Sequence, residues 1–208
     1  RVTYAGAGGL LKDSANITTD GTTLTAAGFS GPHNGTVGAT TPAAGTFTTL
    51  TASSTLSFAS QSIPFAALPT GSVLQVVQGQ TTTNTSTTST SFVTTNLTAS
   101  ITPKFSTSKV LVVVGAQGYI AGANTSGIYT VFRGTVAGTN LGDATWGFVN
   151  LFCLASAITG AISIFYLDSP ATSSSQTYTY AMRSESGTAA HINANGQRST
   201  ITLMEIAA

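Results

Sequence analysis

The run Val110-Leu-Val-Val-Val114 sets the tightest limit on how this chain folds. Five consecutive apolar residues, four of them β-branched, read as a strand, and a strand turns successive side chains to opposite faces. Both faces of this strand are therefore apolar. One belongs to a core, and the other needs cover from a neighbouring sheet or from another subunit. The surrounding residues have the same texture. From Gly71 onward about eight candidate strands stand out as β-branched and aromatic runs, at residues 73–79, 90–101, 109–119, 127–136, 146–154, 160–167, 176–183 and 200–206. Alternation is clearest in Val93, Thr95, Leu97, Ala99, Ile101 and in Tyr178, Tyr180, Met182. Amphipathic helix spacing is essentially absent. Short strands at this turn frequency imply a two-sheet antiparallel sandwich or jelly roll. The Thr/Ser run from Thr81 to Ser91 is either an exposed loop or part of a Thr-rich edge strand.

Charge is the second constraint. Seven Lys/Arg and six Asp/Glu are all the charges in 208 residues, 6% of the chain, where an average soluble domain carries roughly 25%. Thr and Ser, at roughly 30% of residues, take over the polar role. With 41% hydrophobic residues and a net charge of +1 the composition is not that of a disordered chain. That net charge also excludes a nucleic-acid groove and a polybasic membrane patch. Folded alone, a chain of this mass exposes on the order of 9,000 Å², and so few charges would solvate that area poorly. Such a chain either buries surface against copies of itself or sits in a membrane.

The uncharged stretch between Asp143 and Asp168 is long enough for a membrane helix. Its flanks are acidic, however, and Thr159 and Gly160 divide it into two segments of strand length, so a buried hairpin is expected and membrane insertion is not. No signal peptide or lipidation motif is visible. The chain starts at Arg1 rather than Met, as expected of the C-terminal part of a longer polypeptide whose missing part would attach to other proteins.

Residues 1–70 differ from 71–208. Large apolar side chains are widely spaced there, and a weak echo, Thr23-Leu-Thr-Ala26 and Thr49-Leu-Thr-Ala52, accompanies the turn signals Asp20-Gly21, Gly31-Pro32 and Asn34-Gly35. This segment cannot build its own core. It reads as an intertwined fibrous stalk of several copies, or else as a flexible linker.

The segment Gly35-Thr-Val-Gly-Ala-Thr-Thr-Pro-Ala-Ala-Gly-Thr-Phe-Thr-Thr-Leu-Thr-Ala52 resembles a motif that recurs in bacteriophage tail-fibre stalks. Residues 71–208 resemble C-terminal fibre domains of tailed phages through Gly71-Ser-Val-Leu-Gln-Val-Val77, Ile101-Thr-Pro-Lys-Phe-Ser-Thr-Ser-Lys-Val-Leu-Val112, Tyr166-Leu-Asp-Ser-Pro170 and Ser199-Thr-Ile-Thr-Leu-Met-Glu-Ile206. The resemblance implies a homotrimer with a trimeric β stalk over 1–70 and a globular β head over 71–208, located in the virion and used to attach to a bacterial surface. Scarcity of charge fits a threefold assembly, because a charge near the axis meets two copies of itself.

Catalytic chemistry is thinly represented. A glycan hydrolase needs two carboxylates within roughly 5–10 Å, and Asp13, Asp20, Asp143, Asp168, Glu185 and Glu205 form no close sequence pair. A pair formed across subunits stays open. Asp168, before Ser169-Pro170, reads as a turn former, and Cys153, between Phe152 and Leu154, as a small buried hydrophobe. No Gly-x-Ser-x-Gly elbow is present, and Gly6-Ala-Gly-Gly lacks the spacing of a phosphate loop. No cofactor is expected. His33 and His191 are too few for a metal site within one chain, although one His on a threefold axis supplies three imidazoles. Solvated loop histidines are the simpler reading.

If the chain enters the head at Gly71 and successive strands run antiparallel, alternate loops share an end. The loops at 80–90, 119–127, 155–159 and 184–199 are then distal, and those at 102–108, 137–145 and 168–175 proximal. Tyr119, Asn124, Glu185, His191, Asn193, Asn195 and Arg198 fall at the distal tip, with aromatic, amide and charged groups suited to sugars. Trp146 falls at the stalk end. The expected function is non-catalytic attachment to a bacterial surface glycan or lipopolysaccharide. The alternative is a passive virion component, a head fibre or trimerisation cap that binds no receptor.

Overall fold

The computed structural model describes residues 2–5, 11–14, 17–19, 24–26 and 65–208, which belong to two compact units, Arg1–Ser57 and Phe58–Ala208. In the first unit β1 (Val2–Ala5) pairs antiparallel with β2 (Leu11–Ser14), and β3 (Ile17–Thr19) with β4 (Leu24–Ala26). The first copy of the Thr-Leu-Thr-Ala echo supplies β4. Its second copy at 49–52, the phage-stalk motif at 35–52, His33 and most of the expected stalk segment lie outside the described residues.

The second unit is all-β. Its strands are β5 (Val73–Thr81), β6 (Thr85–Thr87), β7 (Val93–Ile101), β8 (Lys109–Ile120), β9 (Thr125–Arg133), β10 (Thr139–Asn140), β11 (Val149–Cys153), β12 (Ile158–Asp168), β13 (Gln176–Ser184), β14 (Ala190–Ile192) and β15 (Ser199–Ile206). A 3-10 turn, Phe65–Ala67, precedes them. Two antiparallel sheets result. Sheet A runs β7-β13-β9, with β10 and β11 sharing the remaining side of β9. Sheet B runs β5-β15-β8-β12, and the short pair β14-β6 continues beside β8 beyond the end of β15.

Alternation decides which face each strand buries. In β7 the side chains of Thr95, Leu97, Ala99 and Ile101 are buried, and in β15 those of Ser199, Ile201, Leu203 and Glu205. The apolar ones, Leu97, Ala99, Ile101, Ile201 and Leu203, join Val110, Val112 and Val114 of β8, Ile162 and Ile164 of β12, and Tyr178, Tyr180 and Met182 of β13 in one core between the sheets. β9 is buried on both faces. Tyr129 and Val131 enter the core, while on the other face Phe132 meets Phe92 edge-on at 5.8 Å and Thr130 donates to Asn140 Oδ1 at 2.7 Å. The Arg183 guanidinium lies 5.5 Å from the Phe92 ring and donates from Nε to Thr145 O at 3.1 Å, pinning the excursion that interrupts the edge of sheet A. That excursion, residues 142–147, leaves between Leu141, which donates to Val131 O, and Phe148, which donates to Tyr129 O. Trp146 is thus at mid-height of sheet A and half-exposed, not at the end where Gly71 enters.

The stretch between Asp143 and Asp168 holds two strands, β11 and β12, but they are not a hairpin. β11 pairs with β9 in sheet A and β12 with β8 in sheet B, so the turn between them crosses from one sheet to the other. The break falls at 154–157, and Gly160 lies inside β12. A Cβ there would sit 2.7 Å from Leu151 Cδ1. Glycine at this position marks a close approach of the two strands, which explains why it resembles a turn signal in the sequence. Among the described residues no helix is long and apolar enough to cross a membrane.

The outward face of sheet B follows from the same registers. Val76, Met204, Leu111 and Leu167 form one row across β5-β15-β8-β12, and Gln78, Thr202, Val113 and Phe165 form the next. Further along the face, Thr159, Tyr119, His191 and Ser86 form a row across β12-β8-β14-β6. The second face of Val110-Leu-Val-Val-Val114 therefore looks outward, where Leu111 and Val113 are only half-buried.

Candidate functional site

The connections gather at the two ends of the sandwich as alternation requires. At one end Gly71 donates to Ala207 O at 2.8 Å, Ala207 donates to Ser72 O at 2.9 Å, and Lys104 N donates to Glu205 Oε1 at 2.6 Å. At the other end lie the loops after β5, β8, β11, β13 and β14. There Ala121 donates to Ala189 O, Ser184 to Ser89 O and Glu185 to Ser126 O.

Tyr129 holds this far end together from below. Its ring lies against Gly118 of β8 and Gly127 of β9, where an added Cβ would come within 2.9 and 2.8 Å of it. Its hydroxyl donates to His191 O at 3.0 Å, and burial pushes the phenol pKa well above its usual value. Tyr180 stacks on it at 6.0 Å. Two glycines leave the room that a phenol needs to reach across the sandwich and fix β14.

On that support the outward row brings Tyr119 and His191 together, with ring centroids 5.2 Å apart in an edge-on arrangement. His191 Nδ1 lies 3.4 Å from Asn84 Oδ1. Partial burial lowers the imidazole pKa below its ordinary value, which favours the neutral ring facing Tyr119. Beside this row is a cleft of about 300 Å³ lined by Gln80, Thr81, Thr82, Thr83 and Arg198. Arg198 donates to Gln80 Oε1 at 3.0 Å, which orients the guanidinium over the cleft. Amide, hydroxyl and guanidinium groups at one small site recognise a polar, hydroxyl-rich or anionic ligand.

Asn193 has a different role from the one its position suggests. It is fully buried, donates to Thr81 O and Thr83 O, accepts from Ser199 Oγ at 2.6 Å, and adopts a left-handed backbone with φ 55. Its side chain clamps the Thr81–Thr83 backbone to the β14–β15 turn and is withdrawn from any ligand. Asn195 is exposed on that turn. Asn124, exposed with φ 52, and Glu185, also exposed, lie on two loops joined by the Thr125 and Ser186 hydroxyls at 2.6 Å. Sequence reasoning assigned the 80–90 loop to this end but did not single out Gln80, Thr82, Thr83 or Asn84. The signal was present in the polar run itself, whose Thr residues follow directly on a β-branched strand.

Two of the carboxylates flank the same residue of β8. Asp168 and Glu205 both pair with Val110, on opposite sides of β8, and both face inward. Their oxygens are engaged in structure. Asp168 Oδ2 accepts from the Tyr178 hydroxyl at 2.7 Å and lies 3.3 Å from Arg133 NH1. Burial, then the hydrogen bond and charge of Asp168, push the Tyr178 phenol far up. Asp168 is thus the last residue of β12 and a cross-sheet acceptor, not a turn former. Glu205 accepts from Lys104 N and from Gln75 Nε2, both at 2.6 Å. Neither carboxylate lines the far-end cleft. Asp143 accepts from Thr145 N and Trp146 N, which closes the 143–147 turn and lowers its pKa. Cys153 is buried and free. Among the described residues no three His, Cys, Asp or Glu converge on a metal position.

Compared with known families, the sequence matches no family model. It matches no curated protein sequence either.

Proposed function

We propose that this chain is the stalk and head of a homotrimeric bacteriophage tail fibre, which attaches the virion non-catalytically to a glycan or lipopolysaccharide on a bacterial surface. The stalk is an intertwined β segment, and the fibre's partners in the virion are other tail proteins. The observation that carries the reading is the far end of a sandwich that is nearly free of charge. Five connections converge there, next to the Tyr119–His191 pair on β8 and β14 and the cleft of Gln80, Thr81–83 and Arg198. Neutral hydroxyls and amides with one guanidinium and an aromatic edge are the groups that hold sugar rings and their acidic substituents.

Three weak sites on one trimer act together, so a loss at each site is multiplied. A tenfold loss per site from Arg198→Ala grows toward about a thousandfold when all three engage. The test is binding of the purified chain to lipopolysaccharide extracted from a panel of bacterial strains, and to the cells themselves. The reading expects binding to some strains that falls in Tyr119→Ala and Arg198→Ala while the fold is kept. A folded trimer that binds no strain would establish the passive virion component instead. Release of reducing sugar would overturn the non-catalytic part.

A further inference from the structure

We infer that the outward face of sheet B, on the strands β5-β15-β8-β12, is where copies of this chain pack against one another, an assignment that rests on the homotrimeric reading above. Its apolar rows hold the most exposed large side chains of these strands: Phe165 is 70% exposed, Val76 56%, Val73 52% and Leu167 48%. Leu111, Val113, Met204 and Ile206 fill the space between them. This is a contiguous patch across four strands, not a scatter of single residues, and such patches mark interaction sites.

Two further observations identify the occupant as a second copy. The first is charge. Among the outward positions of these strands only Lys109, at the border, is charged. A charged partner would leave its own charges uncompensated there, whereas the same face on another copy brings none. The second is area. Four strands about 4.8 Å apart and about ten residues long present roughly 650 Å² before side-chain relief; shared between two neighbours, the face as a whole removes from water nearly the ~800 Å² that one partner contributes to a stable interface. The β12 edge adds to this. Among the described residues β12 pairs only with β8, so an apolar strand of 11 residues has one side of its backbone without a strand partner. Long apolar edges of this kind are covered in stable proteins. In a ring of three, the β8-β12 half of one copy meets the β5-β15 half of the next. The contact is confined to the apolar rows from Val73 to Phe165, and Gln80, Tyr119 and His191, nearer the far end of the same face, stay outside it.

The test replaces Phe165 with the photoreactive benzoylphenylalanine in the full chain, after light scattering has given the mass of the unmodified protein. Irradiation is expected to yield covalent dimers and trimers on a denaturing gel, and the same replacement at Trp146, on sheet A, is expected to yield monomers. A protein of trimeric mass whose Phe165 probe gives only monomers would overturn the assigned face and leave the trimer standing. A monomeric mass would overturn the homotrimer and with it this assignment. Should the probe impair folding, Leu167→Cys in the neighbouring apolar row gives a second measurement. Its maleimide labelling is expected to be at least about tenfold slower than that of Asn150→Cys on β11, and equal rates in a trimer would overturn the proposal.

Discussion

Glu205 offers the sharpest test of how the base of the sandwich is held. It is fully buried in β15, and its two oxygens accept from Lys104 N and Gln75 Nε2. The first bond ties down the loop between β7 and β8, and the second ties β5, whose Gln75 also donates to Thr102 O. Glu205→Gln keeps the shape but exchanges one acceptor for an NH₂ group that must face a donor. One charge-assisted bond is lost, at about 1.5–3 kcal/mol, and the other becomes an ordinary bond weaker by about 1 kcal/mol. The expected destabilisation is about 2–4 kcal/mol, or roughly 5–15 °C in Tm for a unit of this size. Glu205→Ala leaves Lys104 N without an acceptor and Gln75 with Thr102 O alone, and should cost at least about 1 kcal/mol more. Urea unfolding followed by circular dichroism at one fixed protein concentration measures both, since self-association makes stability concentration-dependent. A loss below about 1 kcal/mol in Glu205→Gln would refute the reasoning, because the buried donors would then have found another acceptor.

Two further outcomes follow from the far end. Gly127→Ala and Gly118→Ala each push a methyl against the Tyr129 ring and should destabilise by about 1–3 kcal/mol; the Gly127→Ala, Tyr129→Leu double variant should recover part of the loss in the same unfolding assay. His191 has a pKa lowered by burial, so its neutral form is favoured by folding. Its contribution is complete above the unfolded value of about 6.5 and is lost as pH falls through the lowered value. Stability should therefore decline on acidification below about pH 6.5, and His191→Gln should flatten that decline in thermal unfolding scans.

The long strands were legible because their local chemistry and their final environment agree. All eight expected strands correspond to β5, β7, β8, β9, β11, β12, β13 and β15 within a few residues at each end. β6, β10 and β14 were not, since two or three residues carry no periodicity and gain their pairing only from neighbours already in place. The hairpin expected around Thr159 and Gly160 shows the limit of turn signals. A glycine that makes room for Leu151 looks the same in a sequence as one that bends the chain. Alternation also brought Tyr119, His191 and Arg198 to one end, but it could not tell exposed Asn195 from buried Asn193, two residues apart. That difference lies in the hydrogen bonds Asn193 makes to a loop more than a hundred residues earlier in the chain.

The pairing of the first and last long strands of the second unit has a mechanical consequence. β5 begins just after Gly71 and is hydrogen-bonded to β15 at eight register positions, from Ser199 to Ile206. A pull applied to the chain at Gly71, and resisted by whatever holds the far-end loops, runs along the axis of β5. Ladder bonds lie across the strand direction, so such a pull slides the two strands past each other and strains every rung at once. Peeling would break them singly. Tension along β5 is therefore carried by the whole β5–β15 ladder together.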